Sequence, residues 1–555
     1  MKKLLLFLFI TALQVNAQED AWIFLKDKPN KTTFLENPLT MLSQRALDRR
    51  SKLSISLDSL DVPIDQTYYN LIKNESNIIV LAKSKWLNAI HIQGEVNDIN
   101  NLSSIHNFID HIEFADKTLN TSGKFSSKPI STISNHYNKF SETLTDFNYG
   151  DADNQIKMLK GDHLHEQGLT GAGQIIAIID AGFPNVNTLS AFQRIRDNNQ
   201  ILGGYNFADR NTNIYSRNSH GTHVLSAIAG YVEDEFVGTA PDAKFYLFIS
   251  EIYETETILE ETLWVEAAER ADSLGVDVIN TSLGYTTFDN PNHSHTYQDM
   301  DGKTTFISRG AEIGASRGLL LVNAAGNDGN NTWKYIGAPA DAPSVITVGA
   351  VDASENIASF SSFGPTWDGR IKPEILSQGK NPALIDYSSG NITTSSSGTS
   401  FSSPIMAGLI ACLNQNDSFP LISSGQTLEN YNYHLKKAVY ESADRYNNPL
   451  DQYGYGIPNF EEALNSYRAS LSIIENKIKG LKVYPNPVKK QFIISIDNDD
   501  LNNFAIQIFN ILGKKVLEKT NLKSKTIDVS FLNKGVYILK VLNKNEYKTI
   551  KLIKE

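Results

Sequence analysis

Three hydrophobic rhythms follow one another along the chain. The first, over residues 20–119, is mixed. Trp22–Phe24 is strand-like, Met41–Lys52 is helix-like, and Ile78–Glu95 alternates as a hairpin does, with its turn near Ser84-Lys85. Asp98–Ile105 reads as a second helix and Ile109–Phe114 as a last strand, which predicts a small α+β unit. The dibasic pair Arg49-Arg50 falls inside the first helical pattern and reads as a solvated face, with a processing site as the alternative. From Asp116 to about Asn148, Ser, Thr, Asn and Lys take over, so residues 120–149 read as a linker.

The second rhythm, over residues 150–468, has continuous apolar runs: Ile175–Ile179, Phe245–Ile249, Val276–Ile279, Leu319–Val322 and Val345–Val348. Helical patterns separate several of them; Leu259, Leu263, Ala267, Ala271 and Leu274 fall on one helix face. Unalternating strands between helices predict a parallel sheet covered on both faces, with any active site at the carboxyl ends of the strands. The third rhythm, over residues 480–555, consists of short alternating strands with turns at Leu512-Gly513-Lys514 and Asn533-Lys534-Gly535, as in a small β-sandwich.

Length and charge sharpen this picture. The 555 residues leave room for about three domains. A net charge of −11 argues against nucleic acid as a main partner. The tail from Gly480 onward departs from that balance, with fourteen Lys, no Arg and seven Asp or Glu. Residues 1–17, MKKLLLFLFITALQVNA, pair two lysines with a short apolar core and small residues before Gln18, the pattern of a signal peptide cut after Ala17. The expected mature protein is soluble and exported. Its single cysteine, Cys412, allows no internal disulfide and reads as a buried core residue.

Candidate chemistry lies where strands should end. Asp180 closes QIIAIID, His220 opens HGTHV before a helical run, and Asn327 ends VNAAGN. Ser400 sits in SSSGTSFSSPIMAG (395–408), just before an apolar helix, where free N–H groups and the helix dipole favour negative charge. Singly each is weak: a buried Asp is often structural, and an Asn after Gly is usually a turn. His220 and His223 lack an HExxH pattern for a metal. A serine nucleophile needs a base, an orienting acid and an oxyanion donor, and this set holds one of each.

In that order, and with GTAPDA (238–243), GVDVINTSLG (275–284) and PSVITVGAVD (343–352), residues 155–464 resemble the subtilisin-like serine proteases, the subtilases. The resemblance implies a secreted serine endopeptidase working through an acyl-enzyme. Ser400 would be the nucleophile, His220 the base, Asp180 its orienting acid and Asn327 an oxyanion donor. Ser282, Leu283 and Gly284 would pair with the substrate backbone, and Gly326 and Gly337 would line the pocket. No cofactor is required and no metal ligand is assigned. A structural calcium stays open, because Leu225–Val237 lacks the family's Asn-rich calcium loop; Glu233 and Asp234 read as surface charge. One departure is Ala181, where the family usually has a hydroxyl that donates to the catalytic Asp. The insertion 288–304, with His293, His295, Asp299 and Asp301, reads as a polar surface loop near the cleft, a metal site being the minor alternative.

The flanks resemble family partners too. Residues 20–119 resemble the propeptide that precedes many subtilases, the bland alternative being a permanent extra domain. LKVYPNPVKKQF, IQIFNILGKKV and LNKGVYILKV resemble the C-terminal sorting domain read by the type IX secretion machinery, against a binding β-sandwich for which no aromatic platform is visible. The expected partners are protein or peptide substrates and that machinery. The chain is expected to act as a monomer, exported through the periplasm to the medium or cell surface. A catalytically dead subtilase used for binding is the competing class, and the complete Asp/His/Asn/Ser set argues against it.

Overall fold

Seven parallel strands make the centre of the protein, and their spatial order is what brings distant motifs together. In a computed structural model, residues 18–120, 147–416, 428–472, 480–495, 504–510, 515–520, 522–543 and 546–555 are described. The expected signal peptide, most of the linker and the turn at Leu512-Gly513-Lys514 lie outside them. The chain divides into two units, residues 1–464 and 465–555.

Across the central sheet the strands run Ile375–Gln378, Ile346–Val351, Leu320–Ala324, Val278–Thr281, Ile175–Asp180, Lys244–Ile249 and Ile201–Asn206. Each of the five apolar runs falls on one of these strands, because a strand buried on both faces cannot alternate. The two edge strands escaped the sequence reading. Ile201–Asn206 carries Gly203-Gly204 and is only half-buried, and Ile375–Gln378 is just four residues long. On one face lie the helices Leu259–Leu274 and Phe306–Ser316; the helix Thr399–Asn414 packs against five of the strands.

The N-terminal part, from Glu19 to Phe114, is a four-stranded antiparallel sheet in the order Ile79–Ser84, Ala89–Gly94, Glu19–Leu25, Ile109–Phe114. Its helices are Lys31–Glu36, Gln44–Lys52, Gln66–Lys73 and Val96–Ile105, of which the first and third were not anticipated from the sequence. One sheet face is its own core, with Ile23, Ile90, Ile92 and Phe114. The other face joins the core of the central unit: Trp22, Phe24 and Ala89 pack with Trp264, Phe306 and Ile307.

That junction is polar as well as apolar. Trp22 Nε1 donates to Thr262 Oγ1 at 2.9 Å, and Glu269 accepts from Ser84 Oγ at 2.6 Å and Trp86 N at 2.9 Å. Arg49 pairs with Asp272, while Arg50 bridges Asp272 at 2.7 Å and Asp61 at 2.8 Å. The dibasic pair is therefore no solvated face: Arg49 is 7% and Arg50 2% exposed. Burial opposes the charge on Asp272, but Arg50 and Arg49 hold its carboxyl below the ordinary value. The insertion 288–304 is likewise drawn into the junction. His293 contacts Glu19 at 2.8 Å, His295 contacts Glu261 at 2.6 Å, and Asp299 takes Lys117 at 2.7 Å. Both histidines are buried, which corrects the surface-loop reading.

The C-terminal unit folds around its own core. Lys482–Tyr484, Gln491–Ser495 and Thr526–Asp528 form one sheet; Lys515–Lys519, Phe504–Asn510, Gly535–Asn543 and Glu546–Lys554 form the other. Phe492, Ile494 and Ile527 from the first meet Ile506, Ile508, Leu539 and Val541 from the second.

Candidate active site

Asp180 is the last residue of the strand Ile175–Asp180 and is fully buried. Its Oδ1 accepts from Ala181 N at 2.7 Å and meets His220 Nδ1 at 2.8 Å. Among the described residues Oδ2 has no protein partner. The methyl side chain of Ala181 offers it no donor, as the departure from the family pattern implied.

His220 is the first residue of the helix His220–Ala229, and its backbone N–H is capped by Asn218 Oδ1 at 2.9 Å. Burial works against a charged imidazole here. The Asp180 carboxylate, close and hydrogen-bonded, overcomes this and lifts His220 above its ordinary value. His223, one turn on, packs edge-on to Tyr387 instead, 5.8 Å between ring centroids.

Ser400 lies in the first turn of the helix Thr399–Asn414. Pro404 stands four residues later and has no N–H to give to the Ser400 carbonyl. Ser282 Oγ donates to that carbonyl instead, at 2.8 Å. The two serines are reciprocal: Ser400 Oγ donates to the Ser282 carbonyl at 3.3 Å. Ser282, Leu283 and Gly284 continue the neighbouring strand Val278–Thr281, so sheet order brings positions 118 residues apart together. The Leu283 carbonyl is held by Asn323 Nδ2 at 3.0 Å. Gly284 is exposed, and its N–H and C=O have no partner among the described residues.

Asn327 follows the next strand of the sheet. Its Oδ1 accepts from Thr399 N at 2.9 Å and Thr399 Oγ1 at 3.1 Å, which turns Nδ2 outward. The Thr399 hydroxyl also accepts from Gly326 N at 3.0 Å, tying both loops into one corner. A Cβ on Gly398 would stand 3.4 Å from Asn327 Nδ2 and 3.7 Å from Ser400 N. The space left by glycine thus adjoins both the Asn327 side-chain amide and the Ser400 N–H.

Gly326 and Gly337 have packing reasons of their own. Gly326 has φ +105°, and a Cβ there would meet Ser362 Oγ at 2.8 Å. At Gly337 it would meet Thr286 Cγ2 at 2.9 Å and Tyr285 O at 3.1 Å, where Tyr285 and Ala338 pair as an isolated antiparallel bridge.

Three acids that no motif announced complete the surroundings. Glu251, Glu256 and Glu260 bring carboxylate oxygens within 4.8 Å of one another. Burial, then the charge of Glu251, pushes Glu256 up to about 7 and Glu260 up to about 9. Tyr285 Oη donates to Glu251 at 2.9 Å, and the Glu251 charge is felt at His220.

The His220 ring lies 5.7 Å from that of Phe401, the residue after Ser400, so a buried Asp–His pair stands beside a helix-borne serine at the carboxyl edge of a parallel sheet, the arrangement of a serine hydrolase of the acyl-transfer class. Comparison narrows this further. Residues 171–456 match the model of the subtilase family, residues 20–131 the Peptidase S8 propeptide domain of Bacteroidota, and residues 482–555 the secretion system C-terminal sorting domain. Subtilisin DY of Bacillus licheniformis is 30% identical over 312 residues, spanning 56% of this chain and 97% of that protein. A subtilisin-like protease of Arabidopsis thaliana is 31% identical over 329 residues, spanning 57% of this chain and 28% of that protein. The crystal structure of the epidermin leader peptide processing serine protease of Staphylococcus aureus shares the fold, with 18% identity and a TM-score of 0.51 over 81% of this chain and 98% of that one. The chain belongs to the subtilase family of serine peptidases, with a propeptide domain before the peptidase and a sorting domain after it. No helix among the described residues is long and apolar enough to cross a membrane.

Proposed function

We propose that the chain is a secreted endopeptidase in which Ser400 is the nucleophile, His220 the general base, Asp180 its orienting acid, and Asn327 Nδ2 with Ser400 N the oxyanion donors. One observation carries this reading: four motifs from four places in the chain converge, with the Asp180–His220 contact at 2.8 Å and the two donors flanking the vacant side of Gly398.

A substrate strand would lie along Ser282–Gly284, using the unpaired N–H and C=O of Gly284. The Ser400 hydroxyl turns from the Ser282 carbonyl to His220, which takes its proton as Oγ attacks the scissile carbonyl. The oxyanion is held by Asn327 and Ser400 N. His220 then delivers the proton to the leaving amine, and water hydrolyses the acyl-enzyme by the reverse sequence. All groups come from one chain, so a monomer suffices, and none of these steps calls on a cofactor. The N-terminal domain acts as propeptide, and the C-terminal unit directs the protein through the periplasm to the type IX machinery and so to the medium or cell surface.

The test is labelling of the purified protein with a fluorophosphonate probe, alongside casein hydrolysis. Ser400→Ala is expected to abolish both while leaving the circular dichroism spectrum unchanged. Hydrolysis that persists in the variant would overturn the assignment and favour a binding role for the fold.

A further inference from the structure

Of the five tryptophans, Trp22, Trp86 and Trp264 are buried, whereas Trp367 is 51% exposed. It does not stand alone. Its ring meets that of Tyr297 at 90°, with centroids 5.6 Å apart. Tyr297 stacks on Tyr335 at 3.9 Å, and Tyr335 meets Phe363 edge-on at 6.2 Å. Tyr297, Tyr335 and Phe363 are half-buried. The rings come from three segments: the insertion 288–304, the loop 328–336 and the stretch 363–367. Each is held in place. Tyr297 Oη donates to the Pro365 carbonyl at 2.8 Å, Trp367 N to the Met300 carbonyl at 3.0 Å, and Phe363 N to the Lys334 carbonyl at 3.1 Å. The Lys334 ammonium lies over the Tyr335 ring, 5.1 Å from its centre. Aromatic rings fixed in position yet open to water mark an interface.

The row of rings is continuous with the cleft. Ser362, next to Phe363, donates its N–H to the Gly326 carbonyl at 2.9 Å, and its Oγ accepts from Asp328 N at 2.9 Å. Tyr297 and Trp333 pack on the core that contains Tyr285 and Ala338, which pair with each other beside Gly284 and Gly337. Gly337 is two residues beyond Tyr335, a span of at most about 7 Å. A substrate strand along Ser282–Gly284 would thus meet the rings within a few residues of leaving the cleft. Two ring planes at right angles enclose a corner, and a flat, rigid pyrrolidine ring fits such a corner. Proline-bearing segments suit aromatic surfaces for a second reason: they are already extended and lose little entropy on binding. We propose that Tyr297, Tyr335 and Trp367 form a docking site, outside the cleft, for a proline-bearing segment of the protein substrate. This rests on the peptidase reading and adds to it a selection made several residues from the bond that is cut.

The processed enzyme is assayed on a core peptide amide and on the same peptide lengthened, at one end or the other, by a short Gly-Ser spacer carrying either three prolines or three serines. At one end the prolines are expected to lower KM about tenfold with kcat little changed, and the serines are not. Trp367→Ala should remove that gain; the core peptide, which ends short of the rings, is the control. A second readout needs no hydrolysis. In the full chain carrying Ser400→Ala the rings are open, and acrylamide quenching of tryptophan fluorescence reports chiefly on Trp367. The proline peptide alone should shield it, and Trp367→Ala should abolish the shielding. If no peptide is cleaved, the peptidase reading fails and the shielding alone decides for or against the docking site. No gain from prolines at either end of a cleaved peptide, an equal loss on the core peptide in Trp367→Ala, absent shielding, or shielding by a soluble glucan and not by the peptide would each overturn the proposal.

Discussion

If Asn327 and Ser400 N hold the oxyanion as proposed, a methyl group at position 398, 3.4 Å from Asn327 Nδ2, would crowd it. Gly398→Ala should therefore lower kcat more than it raises KM. Asn327→Ala should lower kcat about 10²–10³-fold with KM little changed, since the amide acts mainly on the transition state. Steady-state kinetics on a peptide amide check both, and a loss confined to KM would remove Asn327 from the oxyanion site. His220 adds a pH signature. Its pKa is raised above the ordinary 6.5, and a general base must be neutral. Activity is thus lost as pH falls through a value above 6.5, and the acid limb of kcat/KM should lie there; a limb below 6.5 would contradict the Asp180–His220 pairing. The residues Asp180, His220, Asn327 and Ser400 were legible because each sits in a compact local motif. The Ser282–Ser400 exchange and the three glutamates near His220 were not, because they depend on which strands are neighbours, and no local pattern records that.

Among the elements, the helix Leu259–Leu274 bears the most varied load. Its buried side packs on the central sheet, and its other side holds the propeptide through Thr262, Glu269 and Asp272. The sequence pattern found this helix to within a residue, because one of its faces repeats apolar positions. That its acids are buried was hidden, since Arg49 and Arg50 pair with Asp272 across some 220 positions. Removing one partner of a buried pair leaves the other charge stranded, at about 3–5 kcal/mol. Arg50→Ala should therefore weaken the covering of the peptidase domain by the propeptide. The measurement is inhibition of the processed enzyme by separately added residues 18–120. A variant propeptide that inhibits as tightly as the parent would show that the pair contributes nothing to the junction.

At the scale of the molecule, the C-terminal unit has its own core and its own charge balance, +7 against −18 for the rest of the chain, from fourteen Lys and seven acids in a total of −11. Deleting residues 480–555 should leave hydrolysis intact and strand the enzyme in the periplasm of a host with the type IX machinery. Fractionation of medium, surface and periplasm decides; equal export of the truncated form would leave the unit as a binding module. The junction between propeptide and peptidase has a further consequence. On the proposed function each chain would carry its own inhibitor, so protease and inhibitor would leave the cell one to one. After cleavage of the linker, how much stays covered depends only on concentration relative to the dissociation constant. In the confined space before export the two halves would remain together, and in the open medium they would drift apart. Dilution then becomes the signal that starts digestion outside the cell that made the enzyme.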